Sequence, residues 1–278
     1  MLKQINYFFQ AFLIYVFFFL GRILGINISR KIFAFLFCYL GPLFKSKQII
    51  HNNIRNFSPN ISSEKEEKIV KGMWKNYGMT FIEYVFLKDL RKNSTNIVVE
   101  GEENLDGQKK PVIFISGHFA NFELMSMQIT KKGIPLATIY RPLNNFFLNP
   151  FMEYLRKKFV CKNQIKKGIN GVRDSIGFIK KNHSIALMID QRVSEGEKIN
   201  FFGKPALTTT LPAQLAIKYN LNIVPVFIER KGDSDFKIKF HKPVNPNNLS
   251  DKTKITEELN KILEKMIIMN PEQWIWTH

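Results

Sequence analysis

The fold is decided by one stretch, Val112-Ile113-Phe114-Ile115-Ser116-Gly117-His118-Phe119-Ala120-Asn121-Phe122-Glu123. Its largely apolar first part, 112–116, predicts a buried strand, and Gly117 permits a sharp turn after it. His118 follows the turn at once, and Glu123 begins what is predicted to be a helix. Ligands of α/β proteins bind just beyond the carboxyl ends of the strands. The stretch therefore predicts a strand–turn–helix unit and a candidate site in the turn.

The chain on either side of this stretch alternates between strand-like and helix-like segments. Strands are predicted at 97–101, 112–116, 135–140, 159–161, 184–189, 223–228 and 236–240. Helices are predicted at 121–131, 146–158, 168–182, 211–219 and 253–268, with 46–92 helical and connecting and a loop up to Thr210, the N-cap of the next helix. Such alternation implies a mostly parallel central sheet flanked by helices, which is an α/β fold.

The N-terminal part of the chain is apolar and rich in phenylalanine, which occurs 26 times in the whole sequence. Residues 5–20 form one apolar run and 32–44 a second. A bilayer-spanning helix needs about 20 apolar residues, so the first run is slightly short. A secretory signal fits poorly, because no A-x-A-like cleavage site follows and the n-region carries only Lys3 beyond the amino terminus.

We predict from these runs that residues 1–45 are a membrane-anchoring segment, spanning or re-entrant, and that 46–278 form the α/β domain. The alternative is an N-terminal helical hairpin that packs on the domain. Basic residues follow the first run at positions 22, 30, 31, 45 and 47. Under the positive-inside rule they predict that the domain faces the cytoplasm.

The charge balance requires an anionic partner. The formal net charge is +18, from 41 Lys and Arg against 23 Asp and Glu, and residues 131–183 alone hold twelve basic residues against two acidic ones. Nucleic acid, an acidic protein and a lipid head group all fit such a surface, and solvated faces of a lysine-rich protein are a further explanation. A nucleic-acid-binding protein would have no need of the apolar N-terminus. Cys38 and Cys161 show no zinc or disulfide spacing, and we expect reduced thiols.

The pair His118 and Glu123 fits a general base and the acid that orients it. Five helical steps of about 100° would put the two side chains about 140° apart, so they meet only if His118 lies in the turn and Glu123 in the first helical turn. One imidazole nitrogen would then bond to the carboxylate, and the other would act as the base. The alternative is a capping histidine beside a first-turn glutamate that complements the helix dipole.

Other kinds of site fit poorly, although further polar residues lie near predicted strand ends. H-x4-E differs from the zinc motif H-E-x-x-H, G-x-S-x-G is absent, and Gly203-Lys204-Pro205 is not the end of a Walker A motif. Arg141 follows one strand, and Asp190-Gln191 ends another. Phe201 and Phe202 are predicted to be a hydrophobic plug or part of an acyl-chain pocket.

These pieces, taken in order, resemble the lipid A biosynthesis acyltransferases, which are late lauroyl and myristoyl transferases within the wider glycerolipid-type superfamily marked by H-x4-D/E. The matching pieces are Gly117-His118-Phe119 with Glu123, Tyr140-Arg141-Pro142, Asp190-Gln191, Phe202-Gly203 through Thr208-Thr209-Thr210, and the terminal Pro271-Glu272-Gln273-Trp274-Ile275-Trp276-Thr277-His278. H-x4-E alone is a weak signal, whereas five pieces in order over most of the chain are a strong one. A basic C-terminal tail, found in some relatives, is not expected here.

The resemblance implies an inner-membrane enzyme whose site faces the cytoplasm. Such an enzyme moves a fatty acyl group from acyl carrier protein to a hydroxyl of a 3-hydroxyacyl chain on an anionic lipid A precursor, with no acyl-enzyme, metal or bound cofactor. By this resemblance His118 is the base, Glu123 orients it, and Arg141 contacts a phosphate or developing charge. Asp190, with Gln191, Gly203 and Thr209, would support or line the substrate site.

Three other functions remain open from the sequence. The acceptor of an acyltransferase with these motifs could instead be another glycolipid or a lysophospholipid. A basic nucleic-acid-binding protein would stay soluble without detergent and bind RNA with a steep salt dependence. A membrane scaffold with a degenerate site would keep the fold but would not need both His118 and Glu123. We expect the membrane enzyme and no nucleic-acid partner.

Overall fold

The computed structural model describes residues 2–93, 95–107, 110–249 and 251–277. Its main helices are α1 (Leu2–Leu24), α2 (Ile26–Phe44), α3 (Lys47–Phe57), α4 (Ser63–Glu83), α5 (Leu87–Lys92), α6 (Glu123–Lys131), α7 (Asn149–Phe159), α8 (Ile169–Lys180), α9 (Leu211–Tyr219) and α10 (Lys252–Met269). Its strands are β1 (Ile97–Glu100), β2 (Ile113–Ser116), β3 (Leu136–Tyr140), β4 (Asn163–Lys166), β5 (Ser184–Met188), β6 (Glu197–Phe201), β7 (Lys204–Thr208), β8 (Ile223–Lys231) and β9 (Asp235–Phe240).

A seven-stranded sheet in the order β1-β9-β8-β2-β5-β3-β4 lies at the centre of the fold. Every neighbouring pair in it is parallel except the antiparallel pair β8–β9. Strand β2 is buried on both faces: Phe114 belongs to one apolar cluster, and Ile113 and Ile115 belong to the other. Helices cover both faces, as a parallel sheet requires, so the predicted α/β fold class is confirmed.

Two of the predicted segments are wrong. The strand expected at 159–161 is the end of α7 and the following link, and β4 begins two residues later, at Asn163. Val160 and Cys161 lie in that link, and their side chains are buried in the core, which accounts for the apolar pattern. The expected loop before Thr210 contains the hairpin β6–β7, closed by Phe202 and Gly203 at φ 48° and 73°. Positive φ at both turn residues is the geometry that two-residue hairpins favour.

The two N-terminal helices form a hairpin that packs on the rest of the chain. Helices α1 and α2 are each long and apolar enough to cross a membrane by length and composition. Helix α2 nevertheless lies along α4 at backbone contact, because a Cβ atom added at Gly78 would come within 2.2 Å of the Phe33 carbonyl oxygen. Ring contacts at 5.7 Å between Phe17 and Phe33 join α1 to α2. The packed hairpin was the alternative left open by the sequence.

A buried ion cluster fastens this hairpin to the sheet. The Glu83 carboxylate at the end of α4 lies 2.7 Å from Arg30 Nε of α2 and 2.5 Å from Arg230 Nη1 of β8. All three side chains are at most 3% exposed. Burial alone would raise the pKa of Glu83, but the two guanidinium groups outweigh it and hold that pKa below its ordinary value. Glu83 therefore stays ionised, and its charge is compensated.

Replacing Glu83 by glutamine should lower the free energy of unfolding by about 3–5 kcal/mol, because breaking a buried pair leaves charges without compensation. Chemical denaturation in detergent micelles measures this loss. The matched control is Asp89→Asn, which breaks an ion pair with Arg22 whose side chains are 37% and 49% exposed. Exposed pairs contribute about 0–1 kcal/mol. Equal losses in the two variants would contradict a structural role for the buried cluster.

Candidate active site

The site lies where the register of the parallel strands brings two loops together. Ser116 of β2 is paired with Met188 of β5, so the residues two positions beyond each, His118 and Asp190, come side by side. Both follow the carboxyl ends of neighbouring central strands, which is where ligands bind in such sheets. The position of His118 beyond a strand end was predicted from the sequence.

Asp190 holds the His118 imidazole. Its Oδ1 atom lies 2.8 Å from His118 Nδ1, and its Oδ2 atom accepts from the His118 backbone N–H at 2.6 Å and from Trp274 Nε1 at 2.8 Å. The carboxylate side chain is 1% exposed. Burial alone would raise the pKa of Asp190, but attraction to His118 and these hydrogen bonds together hold it below its ordinary value. An ionised Asp190 is an acceptor only, so Nδ1 of the ring is the donor.

Glu123 is the first residue of α6, in the helical turn where the sequence places it. Its carboxylate Oε1, however, accepts from Tyr84 Oη at 2.6 Å and from Arg156 Nε at 2.7 Å. The carboxylate on His118 Nδ1 therefore comes from Asp190, and the predicted pairing of Glu123 with that nitrogen is corrected. Burial opposes the charge of Arg156, but Glu123 and Tyr84 raise its pKa above the ordinary value. A catalytic role for Glu123 stays a prediction.

The turn between His118 and Glu123 is held in an unusual backbone conformation. Ala120 has φ 44°, in the left-handed region that non-glycine residues seldom occupy. Its carbonyl oxygen accepts from Thr80 Oγ1 at 2.9 Å, and its N–H donates to the Gln273 carbonyl at 3.0 Å. The next residue, Asn121, donates from Nδ2 to Glu83 Oε2 at 2.8 Å. The buried ion cluster thus also supports the turn that carries the imidazole.

Gly117 is needed for close packing, whereas the sequence suggested that it is needed for a sharp turn. A Cβ atom at this position would lie 2.8 Å from Phe119, 3.0 Å from Leu263 and 3.2 Å from Asp190 Oδ2. Gly117 therefore leaves the room that the Asp190 carboxylate occupies against the backbone N–H of His118. Close packing, rather than a positive φ, accounts for the glycine.

The terminal motif packs against the turn that carries His118. Gln273 accepts from the Arg230 backbone N–H at 2.7 Å and donates to the Arg230 carbonyl at 2.8 Å. Trp274 forms a β-bridge with Phe119 in addition to its bond to Asp190. His278 lies outside the described residues. The sequence pattern gave no indication of what this motif contacts. The structure shows that Trp274 is a further residue of the site.

His118 lines a cavity of about 690 Å³. Five basic side chains share that lining: Lys45, Arg141, Arg156, Lys167 and Arg192. Its apolar lining includes Phe18 of α1, so the N-terminal helix forms part of the wall. Burial lowers the pKa of Lys167, and repulsion from the nearby Arg141 guanidinium lowers it further. A histidine in a cavity that is cationic and apolar suits an anionic, lipid-like ligand.

Some of the other predicted site residues lie in the cavity with His118, and one does not. Arg141, Gln191 and Thr209 line the same cavity as His118. Gly203 is exposed at the tip of the β6–β7 hairpin and lines neither of the two cavities described here. The second cavity, of about 570 Å³, lies beyond Asp190 and is lined by several aromatic rings, among them Phe201, Phe202, Trp274 and Trp276. Phe201 and Phe202 therefore border a cavity, and a role in an acyl-chain pocket stays a prediction.

A metal centre has no support from the described part of the chain. Within residues 2–93, 95–107, 110–249 and 251–277, no group of three or more His, Cys, Asp or Glu side chains is placed to hold a metal ion. The Cys38 and Cys161 thiols are free, and burial raises the pKa of each. Neither thiol is activated as a nucleophile or ligand by its surroundings.

Comparison with known proteins gives the family of this chain. The sequence profile of the family described as bacterial lipid A biosynthesis acyltransferase matches residues 2–278. The chain is 26% identical to a lipid A biosynthesis palmitoleoyltransferase of Escherichia coli over 87% of its own length and 83% of the relative's. It is 25% identical to a lipid A biosynthesis lauroyltransferase of the same organism, over 87% and 82%. The chain therefore belongs to the bacterial lipid A biosynthesis acyltransferase family.

A solved structure is also similar to this chain. The match is to the 1-acyl-sn-glycerophosphate acyltransferase PlsC of Thermotoga maritima, at 14% identity and a TM-score of 0.45, over 90% of this chain and all of that one.

Asp190 should also affect the stability of the protein in acid. Because its folded pKa is depressed, its interactions stabilise the fold above the unfolded value of about 3.9 and are lost as pH falls through the folded value. The drop in melting temperature between about pH 6 and about pH 3 should therefore be smaller in Asp190→Asn than in the unsubstituted protein. An unchanged drop would contradict the depressed pKa.

Proposed function

We propose that this protein transfers a fatty acyl group from acyl carrier protein to a hydroxyl of a 3-hydroxyacyl chain on a lipid A precursor. The observation that carries the proposal is the His118–Asp190 pair, which lies beyond the strand ends at a cavity that is both cationic and apolar. Family membership supports the reaction class and the kind of lipid. The donor and the hydroxyl are proposed from the resemblance described above.

In the proposed step, His118 acts as a general base. A ring whose Nδ1–H donates to Asp190 carries its lone pair on Nε2, the atom that would take the proton of the acceptor hydroxyl. The oxygen attacks the thioester carbonyl, the C–O bond forms, and the C–S bond breaks. The donor leaves as a thiolate, which takes the proton from the imidazolium and becomes a thiol. Asp190 stabilises the imidazolium in between, so no acyl-enzyme is required.

The cations of the cavity suit an acceptor with phosphate groups. Arg141 and Arg192 are exposed at its rim, and Lys167 lies beside Arg141. A guanidinium group binds phosphate through paired hydrogen bonds. We propose that Arg141 contacts a phosphate of the acceptor, with Gln191 and Thr209 lining the same site. Gly203 would act indirectly, by closing the hairpin that borders the second cavity.

Replacing Arg141 by alanine should raise KM for the lipid acceptor about tenfold while kcat changes little, because a charge-assisted contact at an exposed site is lost. Steady-state kinetics with varied acceptor measures this change. Arg173 of α8, which is exposed and does not line the cavity, supplies the matched control Arg173→Ala. An equal effect of both substitutions would indicate general charge rather than a phosphate contact.

Acyl carrier protein and the inner membrane are the proposed partners, with the site on the cytoplasmic side. The basic stretch 131–183 offers charge complementary to an acidic carrier and to anionic lipid. Deleting the gene and analysing the lipids by mass spectrometry tests the acceptor class. Lipid A that lacks one acyl chain is expected. A full acyl complement, with a change in another glycolipid or in phospholipids, would contradict the proposed acceptor.

A further inference from the structure

The packing of α1 and α2 bears on how the chain meets a membrane. The buried residues of α1 are Ala11, Phe18 and Gly21, and with the half-buried Tyr7 they lie at helical spacing on its inward side. Its outward side exposes a row of large apolar residues, among them Phe8, Phe9, Phe12, Phe19 and Ile23. The exposed face of α1 is thus apolar along the helix, and a helix can lie in the plane of a membrane with such a face at the boundary between head groups and acyl chains.

Helix α1 touches the domain along most of its length. Near its start, Asn145 Nδ2 donates to the Tyr7 carbonyl at 2.7 Å, and in the middle the Tyr15 ring packs on Phe151 at 5.5 Å. Near its end, Arg22 pairs with Asp89 of α5. The span from Tyr7 to Arg22 is about 22 Å at 1.5 Å per residue, a large part of the bilayer core of about 30 Å. If α1 crossed the bilayer in this conformation, the domain would enter the bilayer with it.

Helix α2 is also packed on the domain along much of its length. It lies against α4 from the Arg30–Glu83 pair to Gly41, where an added Cβ would come 2.3 Å from the Trp74 ring. Helix α4 exposes Lys71 and Lys75 on its outer side, and charged side chains within a bilayer are costly. Neither helix therefore fits a spanning orientation while it stays packed as observed.

A loop at the mouth of the catalytic cavity continues this apolar surface. The aromatic loop, residues 143–148, exposes Phe146 and Phe147 at 51% and 39%. The Phe147 ring packs on Phe8 of α1 at 5.6 Å, and the Tyr15 hydroxyl donates to the Phe147 carbonyl at 2.8 Å. Leu143 and Leu148 of the same loop line the cavity that holds His118. One loop thus joins the apolar surface of α1 to the site.

We infer that the outer faces of α1 and α2 and the aromatic loop form one surface that lies in the plane of the membrane, its apolar side chains in one leaflet. The inference rests on the membrane association in the proposed function and specifies its geometry: neither helix spans. A bilayer fits this surface because α2 also exposes large apolar side chains, at Ile28, Ile32, Phe35 and Tyr39. The chain is in addition strongly basic, which suits anionic head groups. The cavity then opens at the lipid surface, where an acceptor chain can reach His118 while the acceptor stays in its leaflet.

Labelling from one side of the membrane separates an in-plane from a spanning hairpin. In a Cys38→Ser/Cys161→Ser background, Gln4→Cys places a single thiol near the start of α1 and Asn27→Cys places one in the first turn of α2, at the tip of the hairpin; both positions are exposed. In sealed inverted inner-membrane vesicles, a membrane-impermeant maleimide should label both variants without permeabilisation. Labelling of one of them only after permeabilisation would overturn the inference.

A second measurement tests the aromatic loop. A Phe146→Cys variant in the same background carries an environment-sensitive dye and is reconstituted in vesicles that contain lipids with a nitroxide on the acyl chain. Quenching of the dye is expected at 146 and not at the control Ile217→Cys, since Ile217 is exposed on α9, which packs on the other face of the sheet. No quenching at 146 would overturn the contact of the loop with lipid. Acyl transfer assayed in detergent micelles tests the proposed function separately, since it needs no bilayer.

Discussion

Replacing His118 by alanine is expected to lower kcat for acyl transfer by about 10²–10⁴, the usual contribution of a general base. KM should change little, because the substitution removes a group that acts in the transition state rather than one that binds both states equally. Steady-state assay of purified protein measures the effect. The melting temperature should fall, because the buried Asp190 carboxylate loses its ring partner, so the two proteins are assayed well below both melting temperatures.

The matched control for this substitution is His183→Ala. His183 lies on the turn between α8 and β5, and it does not line the cavity that holds His118. Its removal should leave the rate unchanged. A His118→Ala variant that keeps most of its transferase activity would contradict the assignment of the base and would favour a purely capping or structural histidine.

Replacing Asp190 by asparagine is expected to slow transfer by a similar factor, about 10²–10⁴. The amide is neutral and no longer stabilises an imidazolium. It can also donate to Nδ1, and the proton of the neutral ring would then sit on Nε2, where the base is needed. Steady-state kinetics over a range of pH measures the loss. The pH below which the rate falls should decrease, because a negative charge beside the base has gone.

The Glu123→Gln variant tests whether Glu123 or Asp190 is the carboxylate that orients His118. The Glu123 charge is compensated by Arg156 at 2.7 Å, so its removal should move the pH profile less than Asp190→Asn does, whatever it does to the maximum rate. A profile that moves more in Glu123→Gln would contradict Asp190 as the orienting acid. It would restore the pairing that the sequence suggested.

Local patterns along the chain were enough to predict most of the fold. The apolar run 112–116, the turn at Gly117 and the helix after it are all present, shortened by a residue or two. Each depends on periodicity and on the residues next to it, which the sequence displays directly. The segment 197–208 was missed because its two short strands carry charged and polar residues and its turn places Phe202 at positive φ, where phenylalanine is not expected.

The site was harder to predict for a physical reason. His118 and Asp190 are brought together by the register of β2 and β5, across 72 residues of chain, and no local pattern reports that register. H-x4-E instead drew attention to Glu123, which is near in sequence but turns towards Tyr84 and Arg156. The Trp274 contact has the same origin, since it joins the end of the chain to a strand end in the middle.

We propose that the protein transfers an acyl group directly from a carrier thioester to a lipid A precursor, with His118 as the general base. The direct test is an assay in which purified protein is mixed with one lipid A precursor and with acyl carrier proteins that carry different acyl chains. Mass spectrometry then follows both the precursor and the protein. The unsubstituted protein should yield a precursor heavier by one acyl group, His118→Ala should not do so at matched times, and no acylated protein should appear. An unchanged precursor, or an acyl adduct on the protein that forms and decays as product appears, would contradict the proposal.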